Sequence, residues 1–284
     1  MFVFGEVALG TLELKESPHA PGIHPVALHY REFSGGSPLV FLHGGWGYRV
    51  YPFDAQISAF QDGYRILIPD RTGYGRSTRV DSEMPLDFHR RAAQETLAFL
   101  DGLRIERAVF WGHSDGAVIS AMIGLLAPGR CDALILEAFH YLKNKPGSRG
   151  FFERFTAHPE DLGEETQQLL KADHGETWAR VPRRNCGAWI RIADSVQKSD
   201  EDLYDGRLGE LKVKTLFLHG RLDPRTEPGE MERVARAVPQ AHIKFVENGK
   251  HSPHSEPAVA EECNRIVSEF LAATNERAES ATRR

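Results

Sequence analysis

The chain of 284 residues is 41% hydrophobic and 26% charged, with a formal net charge of −5, a balance typical of a soluble globular protein. No apolar run approaches the ~20 residues that cross a bilayer, and no cluster of Lys and Arg suits a nucleic acid, so neither is an expected partner. Three widely spaced cysteines and an N-terminus without a basic region predict a cytoplasmic protein without disulfides.

The first predicted elements are two segments of alternating hydrophobicity, around residues 3–14 and 27–33, which indicate an antiparallel sheet edge. Almost continuously apolar segments follow, at residues 39–42, 65–69, 108–111, 133–138, 214–220 and 242–248. Such strands are buried on both faces, as in parallel sheets covered by helices. Helical spacing occupies residues 52–61, 87–102, 115–126, 228–238 and 257–273. The pattern predicts an α/β fold with a mostly parallel sheet and helices on both faces.

One interval breaks this alternation. Residues 139–211 carry aromatic-rich stretches of helical spacing and no convincing strand pattern, and a structureless loop of that length would be unusual. We therefore predict a helical cap at 139–211, inserted between a first part of the core (1–138) and a second part (212–274). A flexible tail is predicted at 275–284.

A predicted buried strand runs into the pentapeptide Gly112-His113-Ser114-Asp115-Gly116, and a helix is predicted directly after it. A sharp strand-to-helix turn leaves little room for neighbouring side chains, which favours glycine on both sides. The turn lifts the serine hydroxyl to the edge of the sheet, close to a helix N-terminus. This arrangement is typical of a nucleophile elbow, so Ser114 is the predicted nucleophile.

A serine nucleophile needs a base, and the base needs an acid to orient it. Asp223 and His251 follow two later strands in the required order of serine, acid and histidine, and are the predicted acid and base. Glu137 is a second candidate for the acid. His254 competes with His251, and its alternative is a structural or pocket-lining role. The remaining histidines are predicted at the surface, among them His19, His24, His29, His158 and His174.

Hydrogen-bond donors must also hold the oxyanion that forms when the serine attacks a carbonyl. The backbone amide of Asp115 is the first predicted donor. The glycine-rich loop at 43–47 is predicted to supply the second, through the amide of Gly45 or, as second choice, Trp46.

The motifs LHGGWG, PDRTGYGRS, GHSDGA, HGRLDP and GKHSPHSEP together resemble the α/β-hydrolase fold superfamily, in its branch of cap-bearing serine hydrolases. Within that branch, the GxSDG elbow and the GKHxxH ending look like the biphenyl hydrolase-like proteins, which include an amino-acid ester hydrolase. The resemblance covers about residues 39–271 and implies an α/β-hydrolase fold with a Ser-His-Asp triad. No dinucleotide, P-loop or zinc motif is present, so no cofactor or metal is expected.

Asp115 has two interpretations that stay open. A carboxylate beside the nucleophile opposes the oxyanion unless a substrate cation, such as an α-ammonium group, offsets it. An aspartate in the first turn of a helix is also stabilised by the helix dipole and then needs no ligand. Several further side chains are candidates for lining a substrate pocket, although internal packing is the commoner role for such aromatic residues: Trp46, Tyr141, Phe151, Phe155, Trp178, Trp189 and His254.

These residues predict a cofactor-free serine hydrolase that cleaves small-molecule carboxylic esters through an acyl-enzyme. Carbon–carbon bond hydrolysis and lactone hydrolysis use the same triad and remain alternatives. The resemblance disfavours haloalkane dehalogenase and epoxide hydrolase chemistry, because those family members carry an aspartate at the elbow. A ligand receptor with slow turnover is the alternative of another class. The oligomeric state is not predicted.

Overall fold

The computed structural model describes residues 7–282, with side chains for residues 8–273. The strands form one sheet of eight: β1 (Val7–Leu14), β2 (Val26–Phe33), β3 (Ser37–Leu42), β4 (Tyr64–Pro69), β5 (Ala108–His113), β6 (Cys131–Glu137), β7 (Thr215–Gly220) and β8 (His242–Val246). Their order is β1-β2-β4-β3-β5-β6-β7-β8. The part of the first predicted strand before residue 7 lies outside the described residues.

The direction of the strands follows the sequence pattern. Strand β2 pairs antiparallel with both β1 and β4, whereas β4, β3, β5, β6, β7 and β8 run parallel to one another. The predicted antiparallel edge and the mostly parallel sheet are therefore confirmed.

The helices are α1 (Asp54–Phe60), α2 (Phe88–Gly102), α3 (Asp115–Leu126), α4 (Pro146–Ala157), α5 (Glu164–His174), α6 (Arg180–Asp194), α7 (Glu230–Ala237) and α8 (Ala260–Thr282). No helix of the described residues is long and apolar enough to cross a membrane. Helix α8 continues to Thr282, so its backbone is helical over most of the predicted tail. Side chains from residue 274 onward and residues 283–284 lie outside the description, and the predicted flexibility stays a prediction.

Helices cover both faces of the sheet, which explains the continuous apolar strands. In β3, Val40 and Leu42 join a core cluster with side chains of α2, α3 and the segment after β6. Leu39 and Phe41 join a second cluster with side chains of α1 and α8. The side chains of these four residues are fully buried, as expected for a strand whose side chains alternate between two covered faces.

Helices α4, α5 and α6 lie in the interval between β6 and β7, where no other strand of the sheet occurs. The two strands nevertheless pair directly, from Leu134 with Thr215 to Glu137 with Leu218. The interval therefore leaves the sheet at the carboxyl end of β6 and rejoins it at the amino end of β7, and we call residues 139–211 the cap.

Buried carboxylates join the cap to the core from both sides. Glu230 of α7 accepts a hydrogen bond from the backbone amide of Tyr141 at 2.8 Å and pairs with the Lys145 ammonium at 2.6 Å. On the opposite side, Asp173 of α5 accepts a hydrogen bond from the backbone amide of Tyr48 at 3.1 Å. Since a buried charge without a partner is costly, these contacts hold residues 139–211 against the core.

Candidate active site

The turn between β5 and α3 presents Ser114 in a strained backbone conformation, with φ 55° and ψ −119°. A Cβ added at Gly112 would lie 2.0 Å from the carbonyl oxygen of Gly116, and one added at Gly116 would lie 2.0 Å from that of Leu42. Both glycines are thus required by backbone contacts. The turn has the geometry of a nucleophile elbow, with the serine held at the N-terminus of α3.

Three side chains from the carboxyl ends of β5, β7 and β8 form a hydrogen-bonded chain. The Nε2 atom of His251 lies 3.1 Å from Oγ of Ser114. The Nδ1 atom of His251 lies 3.1 Å and 3.0 Å from the two carboxylate oxygens of Asp223. With the Nδ1 proton donated to Asp223, Nε2 is free to accept the serine proton, as a Ser-His-Asp triad requires.

The electrostatics of these hydrogen-bonded side chains favour a neutral His251 beside an ionised Asp223. Burial and the charge of Arg225 lower the pKa of His251, and together they outweigh the opposing effect of Asp223. Burial alone would raise the pKa of Asp223, but its interaction and hydrogen bond with the His251 imidazole dominate and hold that pKa well below its usual value. A neutral His251 is the form that accepts a proton.

The loop after β3 lies against the nucleophile. Gly45 and Trp46 line the same cavity as Ser114. The buried guanidinium of Arg71 supports this loop by donating hydrogen bonds to the carbonyl oxygens of His43 and Gly44. That contact points the loop carbonyls toward Arg71 and fixes the loop backbone beside the site.

The alternative acid, Glu137, contacts His254 and not His251. Its Oε1 atom lies 2.7 Å from Nδ1 of His254, and its Oε2 atom accepts a hydrogen bond from the indole of Trp111 at 2.8 Å. His254 is fully buried, and its Nε2 atom lies 3.1 Å from the carbonyl oxygen of Tyr51. Glu137 and His254 therefore form a buried pair behind the site, which corresponds to the structural role foreseen for His254.

A very narrow cavity, of about 10 Å³, borders Ser114. Of the side chains predicted for a substrate pocket, Trp46, Asp115 and Trp189 line it. The other five lie outside its lining, where they pack within the cap or against the core: Tyr141, Phe151, Phe155, Trp178 and His254. A wider groove of about 390 Å³ between α2, α3 and the cap does not include the triad.

Comparison with known proteins places this site in a family. A family model described as the alpha/beta hydrolase family matches residues 39–262, a range that contains all three residues of the chain of hydrogen bonds. The protein belongs to the alpha/beta hydrolase family. The predicted resemblance and fold are thereby confirmed, and the protein is a hydrolase.

The α/β-hydrolase is also similar to individual proteins. It is 22% identical to Serine hydrolase BPHL of Mus musculus over 88% of its own length and 84% of the relative. It is 36% identical to Epoxide hydrolase A of Mycobacterium tuberculosis, but over only 42% of its own length and 38% of the relative. Among solved structures, a thermophilic esterase from Thermogutta terrifontis matches with a TM-score of 0.69 at 19% identity, covering 93% of this chain and 99% of the other.

In this α/β-hydrolase the carboxylate of Asp115 is already engaged by protein donors. Its Oδ1 atom lies 3.1 Å from Nε2 of His89 and accepts the indole N–H of Trp189 at 3.0 Å. Its Oδ2 atom accepts the amide of Asn185 at 2.6 Å. Burial would raise the pKa of Asp115, but His89, Arg71 and Asn185 together lower it. The carboxylate is satisfied without a substrate, which favours the interpretation that needs no ligand.

Sequence reasoning did not identify four polar residues of the α/β-hydrolase cavity: Tyr51, His140, Asn185 and Arg225. His140 lies in the loop after β6, with its Nε2 atom 3.4 Å from Oγ of Ser114. Arg225 lies two residues after Asp223 and also lines the cavity. The position of His140 and Arg225 just past the carboxyl ends of strands was the available signal, since loops at this edge build the sites of such sheets.

Proposed function

We propose that this α/β-hydrolase is a serine hydrolase that cleaves carboxylic esters through an acyl-enzyme, with no cofactor. The hydrogen-bonded chain of Ser114, His251 and Asp223 carries the proposal. Its distances allow a proton to move from the hydroxyl to the imidazole within existing hydrogen bonds.

In the first half of the reaction, Oγ of Ser114 attacks the ester carbonyl as Nε2 of His251 takes its proton. The backbone amides of Asp115 and Gly45, or of Trp46, hold the oxyanion. The amide of Asp115 suits this role because it opens helix α3, where backbone N–H groups have no partner within the helix. As the tetrahedral intermediate collapses, His251 returns the proton to the departing alcohol and the acyl group stays on Ser114.

In the second half, a water molecule attacks the acyl carbonyl while His251 takes one of its protons. Collapse of this intermediate breaks the bond to Ser114, returns the proton to Oγ and releases the carboxylic acid. Throughout, Asp223 holds Nδ1 of His251 protonated, so that Nε2 alternates between base and acid.

The chemistry of the nucleophile favours esters over epoxides. An epoxide opened by Ser114 would leave an alkyl ether on the serine, with no carbonyl carbon for water to attack. An acyl group leaves a carboxylic ester instead, which the same machinery hydrolyses. A lactone would follow the ester route, with its alcohol retained in the product.

Turnover of p-nitrophenyl butyrate tests the proposal. We expect release of many equivalents of p-nitrophenol per chain, and inactivation by diethyl p-nitrophenyl phosphate with one phosphoryl adduct that peptide mapping places on Ser114. At most about one equivalent released would indicate the receptor alternative. If the protein does not hydrolyse esters but bleaches a coloured vinylogous dienoate, the carbon–carbon hydrolase alternative replaces the proposal.

The pH profile provides a second prediction. Because burial and Arg225 lower the pKa of His251 below its ordinary value of 6.5, neutral His251 persists into mildly acidic solution. We expect kcat/KM for a neutral ester to fall only as the pH drops below 6.5. Arg225→Gln removes one cause of the lowered pKa and should move this acid limb to higher pH. A limb above 6.5 in the wild type, unmoved by the substitution, would contradict the assignment.

A cytoplasmic location also belongs to the proposal. Cys131, Cys186 and Cys263 are all free and buried. Free thiols are typical of a reducing compartment, where disulfides rarely persist.

A further inference from the structure

Arg225 lies in the loop after β7, two residues after Asp223, and its side chain lines the cavity beside Ser114. Its backbone amide donates a hydrogen bond to Oδ1 of Asp223 at 2.9 Å, which fixes the start of the side chain relative to the triad. The side chain is half-buried and lines the same cavity as Ser114 and His251. The hydrogen bond to Asp223 thus holds the backbone of Arg225 beside the triad.

Aromatic rings hold the guanidinium of Arg225. Its central carbon lies 3.9 Å from the ring centroid of Phe151 and 5.7 Å from that of Trp46. Stacking on a ring face occupies the flat side of a guanidinium, whereas its N–H groups point outward in the plane of the group. The rings therefore orient the cation and leave its hydrogen-bond donors available.

Arg225 has no anionic partner in the described part of the chain: no carboxylate pairs with it, and no side chain or backbone oxygen accepts its guanidinium N–H groups. Two other cations at the boundary of cap and core are paired with carboxylates. Arg31 contacts Asp70 at 2.8 Å and Asp173 at 3.7 Å, and Lys145 contacts Glu230. Arg225 differs from them in carrying an unneutralised charge at the site.

Within the described residues, the cavity supplies no carboxylate that is free to pair with Arg225. Asp115 is the one acidic residue among the described side chains that line it. Both of its carboxylate oxygens are engaged by His89, Trp189 and Asn185. An oriented guanidinium in a partly desolvated cavity, without an acid to pair with, favours an anionic ligand.

We propose that Arg225 binds a carboxylate of the substrate, so that the preferred substrates are esters carrying a free carboxylate, such as half-esters of dicarboxylic acids. This proposal rests on the proposed ester hydrolysis and names its substrate class. It also replaces the substrate ammonium considered for Asp115 with a group of the opposite charge.

Two matched esters test the proposal: the mono-p-nitrophenyl ester of adipic acid, and the same ester with the distal carboxylate changed to a primary amide. We expect wild-type kcat/KM to favour the carboxylate by about tenfold or more, the range of a charge-assisted hydrogen bond. Arg225→Gln should bring this ratio close to one, and Arg225→Lys should retain part of it.

Arg221→Gln is the matched control, because Arg221 lies in the same loop but pairs with Glu247 at the surface, at 2.8 Å. We expect it to keep the wild-type ratio, which separates a local contact from a change in overall charge. Equal kcat/KM for the two esters in the wild type, or a ratio that survives Arg225→Gln, would overturn the carboxylate site while leaving ester hydrolysis intact.

Calorimetric titration with adipate separates this proposal from the proposed function, since binding needs no turnover. We expect adipate to bind the wild type and Arg221→Gln, and to lose about tenfold or more in affinity with Arg225→Gln. That result supports the anion site even if neither ester is cleaved. No binding of adipate to the wild type at millimolar concentration rejects the site, whatever the ester kinetics show.

Discussion

Replacing Ser114 with alanine is expected to lower kcat for ester hydrolysis by at least about 10⁴-fold. The substitution removes the oxygen that lies 3.1 Å from Nε2 of His251, so no acyl-enzyme forms and no proton transfer can begin. Any residual rate would come from water attacking a carbonyl held by the oxyanion donors. Steady-state release of p-nitrophenol measures the loss of kcat. The intact mass of the protein mixed with ester reports whether an acyl-enzyme forms.

Ser120→Ala provides the control for this prediction. Ser120 lies in the same helix, and its hydroxyl donates a hydrogen bond to the carbonyl oxygen of Gly116 at 2.8 Å. We expect it to alter the free energy of unfolding by about 1 kcal/mol and to retain catalysis. Comparable rates for Ser114→Ala and the wild type, with both proteins folded, would eliminate Ser114 as nucleophile.

Asp223→Asn is expected to lower kcat by about 10⁴-fold with the fold retained. The amide preserves the shape of the side chain but can donate a hydrogen bond to Nδ1 of His251, which favours the tautomer with its proton on Nε2. That tautomer cannot accept the proton of Ser114. Circular dichroism would verify the fold, and kcat for p-nitrophenyl butyrate would report the effect.

Glu137→Gln is the informative comparison, because Glu137 is the other acid that the sequence offers. Its carboxylate contacts His254 and Trp111 rather than His251. We expect this variant mainly to lose stability, by about 1–3 kcal/mol in denaturant unfolding, as a buried charged hydrogen bond is weakened. Should Glu137→Gln lose kcat about 10⁴-fold while Asp223→Asn remains active, the acid would be Glu137.

The fold and the candidate triad were accessible from sequence for the same physical reason. Parallel strands covered on both faces appear as short apolar runs, and their carboxyl ends share one edge of the sheet. Residues just past those ends, such as Ser114, Asp223 and His251, could therefore be grouped without knowing any distance. The predicted strand and helix boundaries differ from the observed ones by a few residues, where capping and pairing decide the ends.

The side-chain environment of the site was not accessible in this way. The donors to Asp115 come from α2 and from α6, and no local pattern links elements so far apart in the chain. The orientation of Arg225 likewise depends on Phe151 in the cap. The prediction of surface positions was wrong for most of the remaining histidines, which are buried: His19, His29, His43, His89, His113, His140, His174 and His219. For His174, a contact with the carbonyl oxygen of Trp46 at 3.0 Å replaces water.

The ion pair of Lys145 and Glu230 ties the segment after β6 to helix α7. Both side chains are almost completely buried, with exposed fractions of 2% and 0%, and lifting the cap at this end would separate them. Removing one partner of such a buried pair costs about 3–5 kcal/mol, because the other charge is left buried without compensation. The start of the cap is therefore anchored by two charges that can be exchanged together for apolar groups at little cost, but not one at a time.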